Sequence, residues 1–155
     1  MMEERFMQQA IALAEASIDA GGGPFGAVVV RDGEIIGRGS NRVTSHNDPT
    51  AHAEVEAIRD ACRRIGDFQL KGCVLYVNCE PCPMCLAAVY WARLDAVYYA
   101  ATAEEAAAAG FDDVVIRREV RLAPPQRQLP MRQMLHEAAQ GTFRRWLAME
   151  DKQEY

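Results

Sequence analysis

Cys73-Val74-Leu75-Tyr76-Val77-Asn78-Cys79-Glu80-Pro81-Cys82-Pro83-Met84-Cys85-Leu86-Ala87-Ala88-Val89-Tyr90 runs from strand to helix without a linker. The β-branched and aromatic residues of 73–77 favour a buried strand, and Leu86 to Tyr90 continue a helix that opens at the thiol motif. Cys82 and Cys85 therefore stand at a helix N-terminus. Downstream, Ala96-Val97-Tyr98-Tyr99 supplies another strand and the alanine-rich stretch from Thr102 to Ala109 another helix. Pro124-Pro125 and Pro130 punctuate a less regular tail, which a final helix over roughly Met131 to Met149 completes. Upstream, Phe6, Ala10, Leu13, Ala14 and Ile18 recur at helical spacing until Gly21-Gly22-Gly23-Pro24 stops the pattern. Gly26 to Val30, the Asp32-Gly33 corner and the return through Ile35-Ile36 read as a β-hairpin. After a polar stretch from Asn41 to Pro49, Val55, Ala57, Ile58, Ala61 and Ile65 mark a helix with His52 and Glu54 in its first turn. Helix, hairpin, then alternating helix and strand give one α/β domain over residues 1–155, a three-layer α/β/α sandwich around a mixed sheet.

At 155 residues and half apolar, the chain is long enough to bury a core without staples. A net charge of −5 suits a soluble protein and argues against a surface built to track phosphate backbones, so no nucleic-acid partner is expected. No basic flank with an apolar run resembles a leader, and no stretch approaches the ~20 apolar residues of a membrane span. The expected location is cytoplasmic, with no membrane partner. The five cysteines, with Cys79, Cys82 and Cys85 crowded together, fit metal chemistry better than a disulfide framework.

His52, Cys82 and Cys85 make a three-ligand set for one Zn²⁺, and a catalytic zinc keeps its fourth position open for water whereas a structural zinc closes it. The partial positive charge at a helix N-terminus favours the thiolate form of both cysteines. Water on such a zinc ionises near pH ~7, which makes hydroxide the expected nucleophile at neutral pH. Glu54, two residues from His52, is placed to serve as proton shuttle rather than ligand.

His-x-Glu followed by Pro-Cys-x-x-Cys is the signature of the zinc nucleobase deaminases, and every signature position is filled here. The segments Gly23-Pro24-Phe25-Gly26-Ala27-Val28, Asn47 to Glu54, Cys79 to Cys85, Tyr90-Trp91-Ala92-Arg93, Ala109-Gly110-Phe111-Asp112-Asp113 and the terminal Glu154-Tyr155 resemble bacterial guanine deaminases of the cytidine deaminase-like fold. That resemblance implies a mixed five-stranded sheet and hydrolysis of guanine to xanthine and ammonia by attack at C2. It also implies a homodimer in which the C-terminal segment, about 120–155, is swapped to cover the partner's active site. It further gives Phe25, Asn41, His52, Ala53, Trp91, Asp113 and Tyr155 as substrate contacts. Asp113 would face the amino group or ring edge and share proton transfer with Glu54.

Without the resemblance, Phe25, Trp91 and Phe111 read as core or interface aromatics, Asn41 and Asp112-Asp113 as loop residues, and Tyr155 as a frayed terminus. Cys79 reads as a strand-end residue facing the core. Competing functions are a tRNA adenosine deaminase, for which Arg117-Arg118, Arg121, Arg127, Arg132 and Arg144-Arg145 would form the basic face, a cytidine or cytosine deaminase, and a non-catalytic zinc-stabilised interaction module.

Overall fold

The β-branched run at residues 28–30 becomes the middle of strand β1 (Gly26–Arg31), which returns through Asp32-Gly33 to β2 (Glu34–Ser40). Both corner residues adopt positive φ, 51° at Asp32 and 77° at Gly33, the geometry that makes Asp-Gly a hairpin dipeptide. The structure, a computed structural model, describes residues 3–155. Its helices and remaining strands are α1 (Glu4–Asp19), α2 (Ala53–Ile65), β3 (Cys73–Cys79), α3 (Pro83–Trp91), β4 (Ala96–Ala101), α4 (Ala103–Ala108), α5 (Val114–Glu119) and α6 (His136–Ala148). Two compact units result, one ending at Val114 and the other spanning Val115–Tyr155.

In the first unit the strand order is β2-β1-β3-β4; β1 is antiparallel to both β2 and β3, and β3 is parallel to β4. Alternate residues of β1 serve opposite faces. Val28 and Val30 pack with Phe6 of α1 and Tyr76. Ala27 and Val29 pack with Ala53, Ala57 and Ala61 of α2 and with Val89 of α3. Helices therefore cover both faces, as the sequence leads one to expect. The sheet is mixed but has four strands among the described residues, not five. Beyond α4 the chain turns into α5 and then a 3₁₀ turn at Pro124–Gln126, and three prolines within seven residues remove the N–H donors that a ladder needs.

Glycine sets the height of the helices over the sheet. A Cβ on Gly37 would lie 2.6 Å from the carbonyl oxygen of Ala57 and 2.7 Å from Ala61 Cβ, and one on Gly39 would press into Ala53 O and Ala57 N. The alanine stripe of α2 thus rests directly on the backbone of β2, which fixes where its first turn points. No helix among the described residues is long and apolar enough to cross a membrane.

The second unit is held by polar contacts of its own. Arg127 Nε donates to the carbonyls of Glu119 and Leu122, and Gln128 N donates to the Glu119 carboxylate at 2.7 Å. The final helix starts at His136 rather than near Met131, because Leu135 sits in the left-handed region at φ 52° and closes the preceding irregular stretch. Among its described residues the unit buries no large apolar side chain: Phe143, Leu147, Met134 and Leu135 are 68, 67, 78 and 73% exposed.

Candidate active site

Two helix N-termini meet at one end of the sheet. His52 is the N-cap of α2, and Cys82 is the N-cap of α3, with Pro83 supplying a preset φ at the first helical position. Cys85 follows in the same first turn and is fully buried. His52 Nδ1 lies 3.6 Å from Cys82 Sγ and 3.4 Å from Cys85 Sγ, and the three donor atoms all fall within 4.8 Å of one another. Zn–S and Zn–N bonds of ordinary length at a tetrahedral angle put sulfur and nitrogen ~3.6 Å apart. The donor set therefore fits zinc in both chemistry and spacing. The three residues form a zinc-binding site with one tetrahedral position left for a non-protein ligand.

Electrostatics point the same way. Hydrogen bonding from Cys85, then from His52, outweighs burial and holds the Cys82 thiol down at about 4. Cys85, which supplies that hydrogen bond while buried beside Glu54, is pushed up, so the pair shares one proton on Cys85. His52 is raised by its hydrogen bond to Cys82 against the opposing effect of burial. A divalent cation takes the place of these protons when ligands bind it. Glu54 is only 6% exposed; burial chiefly, with the negative charge of Cys82, raises its carboxyl above the ordinary range. A carboxyl so raised, next to a metal centre, has the character of a proton carrier.

Cys79 ends β3 and is buried, outside the donor cluster. Burial first, then the charges of Glu54, Glu80, Asp113 and Glu105, push its thiol up to about 11, which leaves it an inert strand-end residue. The same electrostatics place Asp113 at this end of the sheet. Phe25 meets Phe111 edge to face, with ring centroids 4.9 Å apart. Asn41 is 7% exposed rather than a solvated loop residue, and its backbone N–H donates to Phe25 O. Ala53 is fully buried at the start of α2. Trp91 closes α3 at 62% exposure, and Tyr155 belongs to the second unit at 75%. Phe111, which lies in a segment that carries the resemblance but was given no substrate contact, is the partner that the fold adds to Phe25. From the residues alone its signal is an aromatic next to an acidic pair, which is common in turns.

The model for the cytidine and deoxycytidylate deaminase zinc-binding region matches residues 1–101. The guanine deaminase of Bacillus subtilis (strain 168) is 51% identical over 156 aligned residues, covering 100% of both chains. The X-ray structure of guanine deaminase from Bacillus subtilis superposes with a TM-score of 0.96, covering 100% of this chain and 99% of that one. A tRNA-specific adenosine deaminase from Aquifex aeolicus (strain VF5) is 44% identical over 101 residues, 65% of this chain and 67% of that protein.

Proposed function

The chain belongs to the cytidine and deoxycytidylate deaminase zinc-binding family, and from that premise we propose that it hydrolyses guanine to xanthine and ammonia. The observation that carries the choice of substrate is the reach of the likeness. Similarity to the guanine enzyme runs through the whole chain, including the unit beyond Val114, whereas similarity to the tRNA enzyme spans 65% of it.

Zinc held by His52, Cys82 and Cys85 supplies Lewis-acid activation of water at neutral pH. Glu54 takes one proton from the attacking water and passes it to the purine ring nitrogen, then moves the second, from the hydroxyl now on C2, to the amine as the C–N bond breaks, work for which a buried carboxyl of raised pKa is suited. Asn41 binds the purine edge, Phe25 packs on its ring with Phe111 behind, and Asp113 pairs with the donors at the amino-bearing edge and shares the proton transfer. Backbone at Ala53 flanks the same base, and Trp91 and Tyr155 close the pocket. Buried polar partners of this kind reject a base that leaves them unpaired.

The apolar side chains left uncovered in the unit Val115–Tyr155 support a homodimer that exchanges this segment. In that reading, Tyr155 is supplied by the second copy.

Ammonia release by the zinc-loaded protein, offered guanine, adenine, cytosine, cytidine and a tRNA anticodon stem-loop in parallel, tests the proposal. Release from guanine alone is expected. Release only from the RNA would transfer the chemistry to a different substrate, and no release from any of the five would leave a zinc-stabilised module.

A further inference from the structure

A buried serine at the end of α1 is bonded to the main chain of Asn41. Ser17 is 2% exposed, and its Oγ donates to the main-chain carbonyl of Asn41 at 3.3 Å, across 24 residues of sequence. The main-chain carbonyl of Ser17 accepts from Gly22 N at 2.7 Å. From there the bonds run onward: Phe25 N donates to Gly23 O at 2.9 Å, Asn41 N to Phe25 O at 3.1 Å, and Val43 N to Asn41 Oδ1 at 3.2 Å. Two residues assigned to the base, Phe25 and Asn41, are thereby bonded to each other and to α1.

The glycines make the closure possible. A Cβ on Gly22 would stand 2.6 Å from Ser17 Oγ and 3.0 Å from Asn41 O, in the path of the bond. A Cβ on Gly23 would stand 3.1, 3.3 and 3.4 Å from Cγ, Oδ1 and Nδ2 of Asn41, so Gly23 forms the floor on which the carboxamide lies. With Oδ1 occupied by Val43 N, the carboxamide presents its N–H₂ group, which among the described residues donates to no protein acceptor. An amide fixed in this sense selects a ring edge that carries acceptors.

We propose that Ser17 is a positioning residue that, together with the glycine pair Gly22-Gly23, fixes the donor face of Asn41 and so sets the preference for a purine with an oxygen rather than an amino group at C6. Ser17 acts through Asn41 and touches no substrate. The inference rests on the proposed role of Asn41, and the test separates the two.

The measurement is steady-state deamination of guanine and of 2,6-diaminopurine, which shares the C2 amino group but carries an amino group at C6, by the wild type, Ser17→Ala, Asn41→Ala and the double variant, with zinc content determined for each. Ser17→Ala should keep its zinc, lose about fivefold or more in kcat/KM for guanine mainly through KM, and narrow the ratio between the two bases toward that of Asn41→Ala. In the Asn41→Ala background the same change should add little, because its route to the substrate is gone. Ser17→Thr, which restores the hydroxyl, should recover part of the selectivity. A Ser17→Ala enzyme with wild-type selectivity, even if less heat-stable, would overturn the proposal while leaving Asn41 in its role. Independent, additive losses in the double variant would overturn it as well. An Asn41→Ala enzyme with unchanged kinetics would overturn both readings together.

Discussion

Replacing Gly39 by alanine should loosen the zinc site from a distance, through the helix that carries His52. The added Cβ would press into Ala53 O and Ala57 N and sit 2.9 Å from Glu56 Cβ. Ordinary non-bonded carbon contacts are ~3.5–4.0 Å, so α2 must withdraw from β2 by about 1 Å. The neighbours are helix backbone rather than the tip of a flexible side chain, and no rotamer change relieves them. His52 Nδ1 now lies 3.4 and 3.6 Å from the two sulfurs. A shift of ~1 Å moves it well outside the ~0.2 Å within which metal–ligand distances are held. Overpacking of this kind costs about 1–3 kcal/mol, and for a chain of this length each kcal/mol lowers Tm by roughly 2–4 °C. Zinc affinity, measured by competition with a chromophoric chelator, should fall at least about tenfold, the lower end of what loss of ligand orientation costs. A Gly39→Ala protein with wild-type zinc affinity and wild-type Tm would refute the claim that contact between α2 and β2 sets the site.

Cys79→Ala should keep one zinc per chain by atomic absorption, since this thiol is buried outside the donor cluster and held protonated; loss of the metal would make it a ligand. Asp60 is opposed by burial, yet the N–H of Arg38 and the guanidinium of Arg64 bring its carboxyl below the ordinary value. Because its folded pKa is depressed, the stability it contributes is present above the unfolded pKa and is lost as pH falls through the folded one. Asp60→Asn should therefore cost about 1 kcal/mol at pH 7 by urea titration, with the gap to wild type closing below pH ~4. A gap that stays constant with pH would remove the charge from that account.

Much of the fold was legible because it depends on neighbours in sequence. The Asp32-Gly33 corner, the valine run of β1 and the glycine cluster that stops α1 all act within a few positions of themselves. The ligand set was legible for a related reason: His52 and the Cys82–Cys85 pair each carry their spacing on one helical turn, and only their convergence required the fold. What stayed hidden depends on contacts between distant segments. Nothing around Gly37 or Gly39 announces that α2 lies against them, and Asn41 reads as a loop residue until Ser17 and Phe25 close over it. The register shift between Val29 and Val30 is invisible in a run of valines. A fifth strand, expected from resemblance, is absent among the described residues, and the prolines of the tail give the physical reason.

The central claim is that Glu54 moves protons beside a zinc bound by His52, Cys82 and Cys85, and the most direct measurement is guanine turnover by Glu54→Gln at matched zinc content. The amide keeps the shape and removes the ionisable group, so kcat should fall by about 10²–10⁴ while the metal stays at one per chain. Turnover within a few-fold of wild type in a zinc-replete Glu54→Gln enzyme would contradict it.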